Sequence, residues 1–442
     1  MSERLTGNIP FSEALSVWWR IGLLSFGGPA GQIALMHSVI VEEKKWLNEE
    51  RFLHALNYCM LLPGPEAQQL ASYIGWLLHG VKGGLVAGCL FILPGALAML
   101  GLTWVYVLLG DFSLVEGLFF GLKAAVLAIV VQAMLRIAQR TLTGRLKPLI
   151  AALAFLGLFI AGLPFPVVVL VAGVLGWLTA HSLMPGASPH TSQSPPDTLH
   201  VSSSRVRSAQ LAALICALLW LLTVAVLWFW RGESDVFTEL ALFFSKMAVV
   251  TFGGAYAVLA YVAQQGVEHF QWLQPGEMLD GLGLAETTPG PLILVTQFVG
   301  YLAAFRQSGL ESALLAGTLG ALLTTWVTFL PCFVWIFAGA PFVESLRGNL
   351  KLSAALAAVT AAVVGVIANL ALWFAINVLF SQTRRVDGGI IDILVPVLSS
   401  IDLSMLILCV MAFVMIFMFR WSVIKTLGVM AIAGAISQQL LI

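Results

Sequence analysis

Continuous apolar stretches run along most of the chain, and they are the first pattern that predicts its structure. Most approach the roughly 20 residues that a helix needs to cross a bilayer. They lack the alternation of apolar and polar positions that membrane β-strands require. The predicted fold class is therefore an all-α polytopic membrane protein with about 12–14 membrane-embedded helices, some of them half-length. The stretches lie at 11–41, 65–80, 84–110, 114–135, 148–163, 165–181, 209–230, 237–265, 290–305, 310–340, 350–380, 391–420 and 422–442.

Composition agrees with a lipid environment. Of the 442 residues, 60% are hydrophobic and 10% are charged, against about 25% charged in soluble domains. The net charge is zero, which gives no reason to expect a nucleic-acid partner. The N-terminal residues do not have the layout of a signal peptide, so we expect the first helix to direct insertion. The cysteines are isolated, which favours apolar packing over a redox centre or a metal site, and no metal is predicted.

One segment, residues 182–208, is rich in Ser and Pro and poor in apolar residues. It predicts a polar cytoplasmic linker. The expected organisation is an N-terminal transmembrane repeat at 1–181, the linker at 182–208 and a C-terminal transmembrane repeat at 209–442.

The two halves repeat one another when the sequence is shifted by 226 residues, which indicates an internal duplication. The matches include Gly, Pro, Trp and charged positions and run without a gap from Phe11 and Phe237 to Pro65 and Pro291. At a shift of 228, "VEGLFFGLK" matches "VESLRGNLK", which pairs Glu116 with Glu344 and Lys123 with Lys351.

The halves are predicted to have inverted topology. The loop after the first segment holds Lys44, Lys45 and Arg51, whereas its counterpart "VEHFQWLQPGEM" holds neither Lys nor Arg. Basic residues in short loops favour the cytoplasmic side, so these loops should lie on opposite faces. The later basic loops, 136–147 and the one with Arg384 and Arg385, do not add to this argument.

Each half contains two sequences that are expected to break a membrane helix. Such breaks leave backbone groups unpaired, and a half-helix that starts there directs N–H groups and its positive dipole end at the gap. Broken helices in inverted repeats are typical of secondary transporters. Kinking or close helix packing explains a single break, but two repeated pairs favour an oxyanion site. The residues concerned are Gly27, Gly28, Gly253 and Gly254 in the first breaks, and Pro63, Gly64, Pro65, Pro289, Gly290 and Pro291 in the PGP triplets.

Basic residues inside the apolar segments are candidates for contact with an anion, because a charge in a membrane helix usually has a partner or a task. Arg20 and its match Lys246 are equally consistent with site cations and with anchors that reach the membrane surface. Lys123 is the stronger candidate for a buried role.

Acidic and polar residues flank the triplets unequally. Glu66 follows the first triplet with Gln68 close behind, whereas Glu286 and Thr288 precede the second. A carboxylate there would carry a coupling proton or form an internal salt bridge. The coupling candidates are Glu66, Glu286, Glu116 and Glu344.

Several motifs resemble those of the chromate ion transporter family in its long two-domain form. They are "SFGGPAGQIALMH", "LNYCMLLPGPEAQQLASYIGWLLHG", "TFGGAYAVLAYV" and "GLAETTPGPLILVTQFVGY", and the resemblance covers most of residues 11–380. It departs at Ala260, where a proline is expected, and at Ser38, where a basic residue is expected.

The resemblance implies a multi-pass protein of the bacterial inner membrane that exports chromate, driven by the proton gradient, and gives chromate resistance. It is not expected to be an enzyme or to need a cofactor. Its partners are a small oxyanion and the lipid bilayer, and a homodimer is left open. The alternatives are a sulfate importer, a passive anion channel and, less favoured, a membrane-bound chromate reductase.

Overall fold

The first half of the protein is a succession of helices interrupted inside its apolar segments. The structure is a computed structural model, and it describes residues 9–110, 112–183, 203–250, 252, 255–340, 350–388 and 391–441. The helices of this half are α1 (Phe11–Leu24), α2 (Gly28–His37), which continues into a π-helix (Ser38–Glu43), α3 (Glu49–Cys59), α4 (Glu66–Leu109), α5 (Ser113–Thr141), α6 (Leu146–Phe159), α7 (Phe165–Leu178) and α8 (Ala180–Leu183).

The second half follows the same order after one additional helix, α9 (Ser203–Arg231). Residues 184–202 of the predicted linker lie outside the described residues. The remaining elements are α10 (Val236–Val250), α11 (Ala255–Ala263) with a π-helix (Gln264–His269), α12 (Pro275–Thr287), a 3₁₀ turn (Leu292–Leu294), α13 (Val295–Gln307), α14 (Ala313–Gly339), α15 (Leu350–Leu379), strands β1 (Thr383–Gly388) and β2 (Ile391–Pro396), a 3₁₀ turn (Leu398–Ser400), α16 (Leu403–Phe413) with a π-helix (Val414–Met418), and α17 (Val423–Leu441).

The backbone of the two halves repeats as the sequence does. The π-helices Ser38–Glu43 and Gln264–His269 lie 226 residues apart, as 264 − 38 shows. Each is followed by a residue with left-handed φ, 52° at Lys45 and 53° at Gln271. Such values are uncommon outside glycine, so their recurrence at the same offset confirms that the halves are homologous.

Helix α4 is a hairpin rather than one straight span. The backbone leaves helical geometry at His79 and Gly80, where Gly80 has φ 63° and ψ −153°. After this reversal Gly88 packs against the hydroxyl of Ser72. The short limb, residues 66–78, therefore lies beside the long limb, residues 81–109.

Helices α13 and α14 form the matching hairpin of the second half, in which Gly300 packs against Gly320 and Thr324. A short limb of this length covers about 20 Å at 1.5 Å per residue, less than the roughly 30 Å of a bilayer's hydrocarbon core. Both triplets therefore precede a half-length helix, as the sequence predicts.

Five helices of the described chain are long and apolar enough to cross a membrane: α4, α5, α9, α14 and α15. Helix α9 exposes leucines along its length, among them Leu211, Leu218 and Leu222. Because exposed leucines of this density disfavour water, the surface of α9 suits lipid.

Residues 391–420 differ from the single apolar helix that the sequence predicts. Strands β1 and β2 form an antiparallel pair in which Thr383 faces Pro396 and Gly388 faces Ile391. The strands contain several β-branched residues, which favour β-structure, and β1 ends in Asp-Gly, a sequence that favours a hairpin. Helix α16 begins only at Leu403.

The chain forms two compact units, and each takes segments from both halves. The first comprises the described parts of Met1–Ala98, Pro185–Ala255 and Thr288–Leu350. Within it α14 packs against α9, α10 and α13. Trp220 of α9 donates its indole N–H to Ser245 of α10 at 2.8 Å.

The second unit comprises the described parts of Met99–Met184, Tyr256–Thr287 and Lys351–Ile442. Helix α5 lies at its core and packs against α12, α16 and α17. Gly117 and Gly121 let α5 approach the backbone of α17 at Gly434. Small residues four apart are a common means of close helix packing in membranes.

Candidate functional site

The first predicted break lies in the first unit, where α1 ends and α2 begins. Ser25 is buried and its hydroxyl donates to the Ile21 carbonyl at 2.6 Å. Gly27 and Gly28 follow with φ of 85° and 70°, values that cost a residue with a Cβ about 1–2 kcal/mol. Glycine at both positions therefore allows the chain to stop and restart inside an apolar segment. The equivalent Gly253 and Gly254 lie outside the described residues.

This break is bonded directly to the triplet of the other half. The Gly290 N–H donates to the Ser25 carbonyl at 2.8 Å. The side chain of Gln32, which is 1% exposed, donates from Nε2 to the Gly290 carbonyl at 2.6 Å. Both polar groups of Gly290 are thus held by residues of the first half, and its N–H is not available to a ligand.

The first triplet is held by its own half-helix. Gly64 has φ 118°, and Gln69 donates from Nε2 to the Pro63 carbonyl at 2.7 Å. A Cβ on Gly64 would lie 2.9 Å from Gln69 Nε2 and 3.0 Å from the Cys332 sulfur. Only glycine fits this position without displacing a neighbour.

The triplets pack in a reciprocal manner on the long limbs of the two hairpins. Gly64 lies against Cys332, which follows Pro331 in α14, and Pro289 and Gly290 lie against Gly95, which follows Pro94 in α4. Each triplet therefore rests on the residue after the proline of the other half. Such an exchange is what a two-fold relation between homologous halves produces.

The last proline of each triplet lies directly before the first helical residue that follows, Glu66 in α4 and Leu292 in the 3₁₀ turn. Pro65 precedes α4 and its carbonyl accepts the Gln69 N–H at 3.1 Å. Pro291 precedes the 3₁₀ turn with φ −65° and ψ 133°, and its carbonyl accepts the Leu294 N–H. The N–H groups in the first turn of such a helix have no partner within the helix, so α4 presents donors directly after the first triplet.

Buried uncharged polar side chains lie along the helices that carry or contact the two triplets. We call them the polar cluster: Gln32, Gln68, Gln69, Ser72, Thr296, Gln297, Thr324 and Thr328, all of which are buried. Gln68 donates to Ser72 at 3.0 Å, and Gln297 donates to the Ala96 carbonyl at 3.0 Å. Within the described chain, no group bonds to the side-chain oxygens of Gln68, Gln69 and Gln297 or to the hydroxyls of Thr324 and Thr328.

Unpaired polar atoms of this kind are costly in a protein interior, at about 1–3 kcal/mol each, so several of them in one compact unit call for a functional explanation. Thr288, a predicted site residue, is buried directly before the second triplet. Glu66 is half-buried at the first position of α4, where a carboxylate is favoured by the helix dipole.

The two cations predicted beside the first breaks do not join the polar cluster. Arg20 is half-exposed and donates to both carboxylate oxygens of Glu43, at 2.8 and 3.0 Å. This hydrogen bond lowers the pKa of Glu43. Lys246 is exposed on α10. Of the two uses that the sequence left open for Arg20 and Lys246, their positions agree with anchors near a membrane surface.

Lys123 belongs to the second unit, where it meets a carboxylate that the sequence analysis did not single out. Its Nζ lies 3.4 Å from Asp280 Oδ2, and the Tyr106 hydroxyl donates to the same oxygen at 3.1 Å. Asp280 is 4% exposed.

The proposed equivalence of Lys123 and Lys351 stays a prediction. Lys123 lies within α5, whereas Lys351 is exposed at the start of the described part of α15. Residues 341–349, which hold most of the second matched motif, lie outside the described residues.

The other predicted carboxylates are dispersed. Glu286 is buried in α12 and accepts the Tyr256 hydroxyl at 2.8 Å. Glu116 is exposed in the first turn of α5. Glu344 lies outside the described residues.

The second unit also contains a cavity of about 250 Å³. Its polar lining comes from Gln264, Glu268, Asn369, Asn377 and Thr383. Its described lining includes none of the predicted site residues, so it does not alter the candidate site.

Sequence reasoning missed Gln32, Gly95, Cys332, Tyr106 and Asp280. Gln32 lies in a motif that the sequence analysis quoted but did not interpret. Gly95 and Cys332 were findable from the matching "LPG" and "LPC" sequences. Asp280 has no such signal, because the repeat pairs it with His54.

Comparison with known proteins gives consistent results. The sequence profile of the family described as "Chromate transporter" matches residues 12–177 and 238–437. The chain is 32% identical to a "Chromate transport protein" of Pseudomonas aeruginosa over 372 residues, which are 83% of this chain and 81% of that protein. It is 27% identical over 349 residues to a "Chromate transport protein" of Cupriavidus metallidurans, covering 79% of this chain and 78% of the relative. No solved structure matches the chain.

Proposed function

Because the chain belongs to the chromate transporter family, we propose that it is a secondary active transporter that exports chromate across the bacterial inner membrane. We further propose that the proton-motive force drives export and that the cell gains resistance to chromate. The observation that supports this most is the pair of clamped PGP triplets at the starts of half-length helices, surrounded by buried polar groups.

The chemistry of an oxyanion matches this arrangement. Half-helix starts offer N–H donors and the positive end of the helix dipole, and glutamine and threonine side chains add neutral donors. Neutral donors would hold a tetrahedral dianion without the strong pairing of a buried lysine or arginine, which favours release. We assign substrate contact in the first unit to Gly27, Gly28, Gln68, Thr288 and the first triplet, whereas Pro289, Gly290 and Pro291 position the second half-helix.

Of the carboxylates that the sequence offers for a role in transport, Glu66 is half-buried and Glu286 is buried. Glu66 at the start of α4 competes with an anion for the same N–H groups, so its protonation would favour anion binding. Glu286 is held by Tyr256 two residues before Thr288.

Chromate uptake into everted membrane vesicles tests the function. We expect uptake in the presence of an energised membrane and its loss on addition of an uncoupler. Gly290→Ala, which forces a Cβ into a φ of 90°, should reduce uptake at least tenfold at an unchanged protein level. The matched control is Gly309→Ala, which has φ 66° but nothing within 4 Å of an added Cβ.

Uptake that is unchanged by the uncoupler would contradict export driven by the proton-motive force. Chromate entry into intact cells, competed by sulfate, would favour a sulfate importer. Equal loss of uptake in the Gly290 and Gly309 variants would remove the second triplet from the proposed site.

A further inference from the structure

The buried ion pair of the second unit carries a further inference, which rests on the proposed transport function. Asp280 lies in the second turn of α12 and is almost fully buried. The Tyr106 hydroxyl, at 3.1 Å, and Lys123 Nζ, at 3.4 Å, both contact the same oxygen, Oδ2. A carboxylate removed from water keeps its charge only where its partners compensate the loss of hydration.

The other oxygen of Asp280 lacks this support. Oδ1 is buried, and within the described chain no group donates a hydrogen bond to it. Protonation of Oδ1 removes the buried negative charge, which is costly where no donor compensates for the lost hydration. The geometry of the carboxyl group therefore marks Oδ1 as a place for a proton.

Lys123 faces the opposite situation, because its ammonium is accessible. The side chain is 26% exposed. A Cβ on Gly276, at the start of α12, would lie 3.2 Å from Lys123 Nζ, so glycine leaves room beside the ammonium. An anion can approach Lys123 from this side while Asp280 stays buried.

Few other charges act on Asp280. Helix α5 contributes Lys123, the long limb of α4 contributes Tyr106, and α12 itself contributes Glu277, whose negative charge opposes ionisation of Asp280. Helix α17, which also packs on α12, has one charged residue, Lys425, and this residue is exposed. The charge of Asp280 is thus balanced mainly by Lys123.

We propose that Asp280 is the residue that carries the coupling proton and that its protonation frees Lys123 to bind the oxyanion. A hydronium ion transfers its proton to Oδ1 and leaves as water, so the Lys123–Asp280 pair changes from zero net charge to one positive charge. The oxyanion then pairs with the ammonium. When Asp280 loses the proton, it forms the ion pair with Lys123 again and the anion is released.

This order makes the proton and the anion bind together and cross together. A dianion that leaves with one proton still carries one net negative charge outwards. The inside-negative membrane potential therefore drives export, whereas the pH gradient opposes it. The proton-motive force acts through its electrical component in this scheme.

Proteoliposomes of the full-length protein with an enclosed pH dye test the proposal, at a pH above the range in which chromate itself titrates. We expect about one proton to move with each chromate in the wild type, as linked binding requires. Asp280→Asn should still move chromate but no proton, and its rate should not depend on pH. Asp280→Glu should retain proton movement, and so should the matched control Glu277→Gln, which removes a carboxylate one turn earlier.

Proton movement that persists in Asp280→Asn would overturn the proposal. Tyr106→Phe provides a second test, because a purely structural ion pair predicts no change in the pH dependence of transport in this variant. The Tyr106 hydroxyl donates to Asp280 and stabilises its charged form. Without it the protonated form persists to higher pH, so the pH of half-maximal transport should rise. An unchanged pH profile in Tyr106→Phe would count against the proposal.

An infrared difference spectrum between acid and alkaline protein separates this inference from the proposed function. The proposal requires a carboxyl C=O band that is present in the wild type and absent in Asp280→Asn, even without substrate. If chromate is not transported but the band is lost in the variant, the proposed function fails and the proton site stands. If chromate is transported and the band persists, the proton site fails.

Discussion

Gly95 shows how much depends on a single missing side chain. It follows Pro94 in the long limb of α4, and the carbonyl of Pro289 occupies the space that a Cβ would need. Backbone atoms cannot move aside as the end of a flexible side chain can. The position of the second triplet therefore depends on a residue of the first half that has no polar group of its own.

Replacing Gly95 with alanine should reduce chromate uptake at least tenfold, because the Cβ displaces Pro289 and with it the half-helix start. The measurement is uptake into everted vesicles at matched protein levels. Gly101→Ala, in the same limb and with nothing within 4 Å of the added Cβ, should retain wild-type uptake. Wild-type uptake in Gly95→Ala would show that the triplet tolerates displacement.

Gln32→Leu tests the clamp on Gly290. The change leaves the Gly290 carbonyl buried without its donor, at a cost of about 1–3 kcal/mol. We expect a lower thermal unfolding midpoint in detergent together with reduced transport. Gln439→Leu, on an exposed position of α17, should leave the midpoint within the small range typical of surface changes. An unaltered midpoint in Gln32→Leu would mean that the clamp contributes little.

Residues that carry a backbone signal were predictable from the sequence, whereas those that act through side-chain contacts were not. Gly64 and Gly290 were found because proline and glycine recur at a fixed spacing. Arg20 was considered for the site because it lies near a break. Its partner Glu43 lies in a π-helix, and no sequence pattern predicts this element. Asp280 was missed because its partners Lys123 and Tyr106 lie far away in sequence.

At the scale of elements, helix termination recurs in a form that the duplication does not fully explain. The π-helix Val414–Met418 is followed by Arg420 with φ 54° and by Trp421, whose N–H returns to the Met415 carbonyl. The same arrangement follows the π-helices that end at Glu43 and His269. A left-handed residue other than glycine costs about 1–2 kcal/mol, and the motif accepts that cost three times in the described chain.

Arg420→Gly should relieve this strain. We expect it to unfold at a higher temperature than Arg420→Ala, with a difference of about 0.5–1 kcal/mol between the two variants. The alanine variant is the control, because it removes the same side chain but keeps the Cβ. Equal stability of the two variants would show that the left-handed backbone is not strained.

Element boundaries were predictable where a break is encoded by glycine or proline. The sequence separated 65–80 from 84–110, and the structure turns there at His79 and Gly80. It failed for 391–420, since the mostly apolar strand β2 and helix α16 cannot be told apart by hydropathy.

At the scale of the whole molecule, the family profile and the repeated backbone both confirm two homologous halves. Their opposite orientation in the membrane stays a prediction from the basic residues of one loop. Single cysteines at Lys45 and Gln271, in a variant without native cysteines, test it. We expect a membrane-impermeant thiol reagent to label the first only from the cytoplasmic side and the second only from the outer side. Labelling of both from one side would mean that the repeats are parallel.

The reciprocal contact between triplet and long limb has a consequence for how such a gene can change. After the duplication, neither half could change independently, because each half contains the residue on which the triplet of the other half packs, Gly95 or Cys332. A larger residue at 332 is acceptable only with a compensating change near 64, and the same holds for 95 and 290. Across the family, substitutions at these positions should therefore be correlated between the halves, so the history of the site is recorded in pairs of residues that lie more than 190 positions apart in the chain, as 290 − 95 shows.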